Sequence, residues 1–195
     1  MQSAFKRQYS GLSKCAMRLV HLLATAGKRM PLEDICRLLA VPSETVGGAV
    51  FSLIERSIVN LESNTLGFKN DLHRVYVYSS LPHETRKYQH AHLAQHLRTA
   101  RDQSEFQHAL EAAHHFLKAE WIDEARELAC NGAERAITWG APEVAQKALE
   151  AVIAADPSST TRRAPNRSAA AAATLASSAG ASDRRLSRPA STTPS

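Results

Sequence analysis

Histidine is the residue type in this chain whose number and spacing could do chemistry. Nine occur in 195 residues, and His92 and His96 stand four apart, on one face of any helix that holds both. His83, His90 and the adjacent pair His114-His115 enlarge the set. Two imidazoles at that spacing can bind zinc, but a closed site needs a third protein ligand and usually a carboxylate behind the ligands. The metalloprotease order His-Glu-x-x-His is absent, because Leu93 and Ala94 follow His92. No ligand set closes, so a surface or helix-seam role is expected for these rings, with no metal and no cofactor.

Other catalytic patterns are missing too. Ala26-Gly27-Lys28-Arg29 lacks both the upstream glycine and the hydroxyl of a phosphate loop. No Gly-x-Ser-x-Gly elbow and no dinucleotide fingerprint occurs, and the carboxylates are scattered. The expectation is a protein that is not an enzyme. Cys15, Cys36 and Cys130 are odd in number and far apart, which fits reduced thiols in a cytosolic protein better than disulfides.

The elements that would carry these residues are mainly α-helical. Over 12–68 the order is helix, helix, helix, hairpin. Ser13 can cap a helix to about Thr25, stopped by Gly27, and Pro31 sits at the first turn of a second. Ser43 is expected to cap a third helix through Arg56, with Val46, Ala49, Val50, Leu53 and Ile54 on its inner side. Ile58–Leu61 and Leu66–Phe68 flank a Ser63-Asn64 turn. Three short helices and a two-stranded wing are the order of a winged helix.

DNA reading is the familiar use of such a module, and it needs cations and amides on the third helix. This one carries Glu44, Gly47, Gly48 and Glu55, with Arg56 only at its far end. Its charge has the wrong sign for a polyanion, so protein packing is the favoured use and a DNA-binding regulator the alternative.

Residues 69–101 form a bridge. Asn70–Tyr78 is apolar on one side (Leu72, Val75, Val77), and Leu81-Pro82 begins a long helix containing Arg86, His90, Leu93 and Leu97. Residues 102–157 then read as closely packed helices. Ala125, Ala129, Ala133 and Ala136 recur at helical spacing, where larger side chains would hold neighbours apart. An array this short is expected to leave an apolar end face around Val144, Ala148, Leu149, Val152 and Ile153. That face is the partner-docking or self-association candidate, with Leu149 and Val152 expected to be exposed.

Residues 158–195 are a low-complexity tail of Ala, Ser, Thr, Arg and Pro, expected to be disordered. From Asp156 on, six arginines oppose Asp156 and Asp183, a net of +4, which leaves +1 of the formal +5 for residues 1–155. The basic balance therefore belongs to the tail, and nucleic-acid contact through it is expected to be non-specific. No run is apolar enough to span a membrane. The first 32 residues are basic, with no acid before Glu33, as in a mitochondrial presequence, but Leu19, Val20, Leu22 and Leu23 read as a helix core face. Cytoplasmic placement is expected.

Three stretches carry a family resemblance. Leu53-Ile54-Glu55-Arg56-Ser57-Ile58-Val59, then Gly67 to Tyr76, then His90-Ala91-His92-Leu93-Ala94 resemble the segment after the nucleotide-binding core of signal-transduction ATPases with numerous domains, the STAND class. Phe68 to Leu72 is similar to that family's "phenylalanine, any residue, histidine, aspartate, leucine" segment, with Asn70 at the histidine position. Ala113–Ala119, Asp123-Glu124-Ala125 and Gly140–Ala145 are similar to the start of tetratricopeptide-like repeats. The resemblance implies a winged helix, a bridge and about one and a half repeats. The phosphate-loop core is missing, so ATPase activity is not implied. It also implies a non-catalytic interaction and regulatory module with a protein partner.

Overall fold

The computed structural model describes residues 7–99 and 106–156, all within one compact unit, residues 1–157. The disordered tail expected over 158–195 lies outside the described residues. The unit is mainly helical, with one small antiparallel sheet.

Helix α1 (Lys14–Ala26) starts and stops where its residues dictate. The Ser13 side chain accepts the Ala16 N–H, and Gly27, at φ 70°, returns its own N–H to Leu23. Strand β1 (Met30–Pro31) follows and leads directly into α2 (Leu32–Leu39). Two residues are too few to register as a strand in sequence, and Pro31 closes the strand where a first helical turn was expected. Ala40, at φ 51°, ends α2, and α3 (Ser43–Glu55) then leaves at 114° to it. Ser43 makes no capping bond: Pro42 occupies the cap position, and Ser43 is the first helical residue.

Strands β2 (Val59–Glu62) and β3 (Thr65–Phe68) pair in register Glu62↔Thr65, leaving Ser63 and Asn64 as a two-residue turn. Both have positive φ, 47° and 62°, the backbone that matches the twist of a hairpin. β1 pairs with β3 on its other side, giving the order β1-β3-β2. Gly67 is required at the centre: a Cβ there would lie 2.7 Å from Arg29 Cγ, which crosses the sheet. The core beneath holds Leu19, Leu23, Ile35, Leu53, Ile58 and Leu66, all at most 1% exposed. Val77 and Leu93 from the bridge extend the same core.

The bridge is two helices, α4 (Asp71–Ser80) and α5 (His83–Thr99). Asn70 caps α4, its Oδ1 accepting the Leu72 N–H at 2.9 Å. The residue at the resemblance's histidine position thus has a helix-capping role here. Of the expected apolar side of α4, Val77 is buried, whereas Leu72 and Val75 are exposed.

Three further helices complete the unit: α6 (Phe106–Lys118), α7 (Ile122–Thr138) and α8 (Pro142–Ala155). The α6–α7 and α7–α8 turns share one geometry. Glu120 and Gly140 both have positive φ (64° and 77°), and the next N–H reaches back to Phe116 O at 2.9 Å and Ala136 O at 2.8 Å. That is a Schellman ending, which folds each helix back along the last. Ala125, Ala129, Ala133 and Ala136 all point inward, at most 2% exposed. Gly132 continues their stripe, and a Cβ on it would lie 2.6 Å from Leu110 Cδ2. Small residues are what let α7 lie close between α6 and α8.

Candidate functional site

Helix α3 is where the winged-helix reading would put nucleic acid, so its outward residues matter first. Glu44, Gly48, Phe51 and Glu55 are exposed and fall at steps of four, three and four, on one helical face. Phe51 is 64% exposed, and Ile54, expected inside, is 40% exposed because Val50 and Leu53 already fill the inner seam. Two of the cations near this region, Arg56 and Arg29, are committed within the chain. Arg56 donates to Gln8 O at 2.8 Å and Ser10 O at 2.7 Å. Arg29 donates to Thr65 O at 3.2 Å and pairs with Glu62 at 3.2 Å.

The end-face candidates divide in two. Val152 is 5% exposed and packs with Ala113 and Ala129, and Leu149 packs beside it and also against Ala133 and Ala136. Val152 is core and Leu149 is partly buried against it, contrary to the expected exposure, because Ala145, Leu149 and Val152 fall at i, i+4 and i+7 on the side α8 turns to α7. Ala148 is half-buried. Val144 (45% exposed) and Ile153 (62%) are exposed on opposite flanks of the α8 seam, nine residues apart, and Ile137 and Trp139 near the end of α7 are also exposed.

The histidines do not gather on a metal. His92 is exposed and stacks on Tyr88, while His96 Nε2 faces Asp34 Oδ1 at 3.5 Å. Among the described residues no group of three or more His, Cys, Asp or Glu side chains is placed to hold a metal ion.

His90 and His115 do meet. They are 3% exposed, and their Nδ1 atoms lie 2.9 Å apart across the α5–α6 seam. Tyr78 Oη lies 2.9 Å from His90 Nε2, and Glu111 Oε1 faces His115 Nε2 at 3.9 Å. Lys28 Nζ holds the other Glu111 oxygen at 2.5 Å. With the proton of neutral His115 on Nε2, the side of the Glu111 carboxylate, its Nδ1 is an acceptor. His90 Nδ1–H must then donate, leaving its Nε2 to accept from the Tyr78 hydroxyl. One line of bonds, with consistent polarity, joins α4, α5 and α6.

Burial chiefly, then neighbouring positive groups, pulls His90 down to about 4 and His115 to about 3. Both rings stay neutral when folded and take protons near 6.5 when unfolded. Their contribution to stability is therefore complete above that range and declines as pH falls toward 4 and 3. Burial also lowers His73, whose Nδ1 lies 2.9 Å from Tyr9 Oη, and raises Tyr9.

Comparison with family models, curated proteins and solved structures finds no match.

The sequence placed His90 and His115 among its histidines but could not pair them, since 25 residues and an interhelical seam separate them. His92 and His96 are distinctive only in their spacing. Phe51 had no sequence signal either: it sits beside Val50 and Leu53, and only the packing shows it turned outward.

Proposed function

We propose that this protein is a non-catalytic interaction and regulatory module resembling the region that follows the ATPase core in STAND-type signalling regulators. Support for the winged-helix part comes from the element order, the β1-β3-β2 sheet and the 114° step between α2 and α3. Support for the repeat-like part comes from the two matching turns and the alanine stripe of α7.

The outer face of α3 carries the functional reading. Where a groove-reading helix needs arginine, lysine or amides, this face offers Phe51 and Ile54 between Glu44 and Glu55. Burying Phe51 against a protein recovers apolar contact area, whereas placing Glu44 and Glu55 near phosphates is repulsive. Protein contact is the use these side chains favour, in a cytoplasmic setting.

The test is fluorescence anisotropy of the full chain on several unrelated duplexes across a salt series. Binding should be sequence-indifferent and fall steeply with salt, as expected for the tail arginines. Sequence-selective binding that Phe51→Asp abolishes would instead establish the alternative, a DNA-binding regulator.

A further inference from the structure

We propose that the His90–His115 contact is an acid-released latch between α5 and α6, stable only while the two rings share no more than one extra proton. The geometry sets that limit. An Nδ1-to-Nδ1 contact of 2.9 Å needs one donor and one acceptor. A first added proton fits: His90 can carry it on Nε2, with the Tyr78 oxygen turning to accept. A second would set two N–H groups head to head between two cations, in a seam where each ring is only 3% exposed.

The surroundings offer the second proton little help. Tyr78 faces the pair from α4 and Arg86 from one turn earlier in α5, its guanidinium 5.4 Å from the centre of the Tyr78 ring. Lys28 faces it from the loop after α1, and His114 and Lys118 from α6. Glu111 is the acid of the group, and Lys28 already holds one of its oxygens. Taking up both protons therefore requires the rings to separate, which parts α5 from α6. The neutral state of both rings at pH 7 agrees with this.

An open form with rings titrating near 6.5 gains about 30-fold for each histidine between pH 7.5 and pH 5, on the order of 10³ for the pair. Amide hydrogen exchange of the full chain at these two pH values, corrected for intrinsic exchange, reads the change directly. The expected result is loss of protection by about that factor in α5 and α6, with α1–α3 losing far less. Equal loss in α1–α3 would mean that the unit unfolds as a whole, and unchanged protection would mean that no latch exists. Either outcome overturns the proposal.

Replacing the pair by leucines, His90→Leu with His115→Leu, should keep α5 and α6 protected at pH 7.5 and remove the acid sensitivity, and a variant that keeps the sensitivity would contradict the latch. Should that variant not fold, nitrogen-15 NMR titration of the native chain decides on its own. Both rings should stay neutral to pH 5 while α5 and α6 remain closed, whereas titration near 6.5 with protection intact would refute the idea.

Discussion

Replacing Leu149 and Val152 together by glutamate should unfold the α7–α8 pair rather than yield a better-behaved protein. Val152 is 5% exposed and packs on Ala113 and Ala129, and Leu149 fills the space beside it. Two carboxylates in that seam would face the methyls of Ala113, Ala129 and Ala133. Burying unpaired charge and losing two apolar side chains together costs more than about 4 kcal/mol, a large part of a small domain's stability. Circular dichroism should show reduced helix content at neutral pH. Retained helix content and an unshifted melting curve would mean that α8 does not pack through these residues.

Phe116→Ala should be the most damaging single truncation in the helical half. Phe116 is fully buried, stacks on Trp121 with centroids 5.6 Å apart, and lies under the Arg98 guanidinium at 5.7 Å. It is also the large side chain of a small cluster whose other buried members, Ala94 and Ala125, cannot move in to fill the space. The expected loss is about 3–5 kcal/mol, from transfer and cavity terms together. Urea denaturation followed by tryptophan fluorescence measures it, because Trp121 loses its stacking partner. A loss below 1 kcal/mol, on the order of an exposed substitution, would show that the cluster does not anchor α5 to α6 and α7.

Much of the fold is legible in local chemistry. Ser13 and Gly27 mark α1, Ser63-Asn64 marks the hairpin, and the alanine spacing of α7 announces close helix packing. Elements whose form is set by distant partners are not legible in that way. Met30–Pro31 becomes a strand only because β3 offers it an edge, and Glu120 takes a left-handed turn that sequence would assign to glycine. The same limit hid the sites. Helical spacing marks Leu149 and Val152 as apolar but does not say which side α7 covers, and it leaves the outward turn of Phe51 unmarked. The His90–His115 contact depends on the pairing of α5 with α6, which no periodicity encodes.

On the function proposed above, this protein works through apolar contact surfaces. Val144 and Ile153, exposed on the two flanks of α8, allow a direct test. Glutamate at both should cost little stability, within about 0.5 kcal/mol at each exposed position. Sedimentation velocity of the native full chain over a concentration series should show reversible association, and Val144→Glu with Ile153→Glu should leave a folded monomer. A native chain that stays monomeric throughout, with a variant that behaves identically, would contradict self-association through α8.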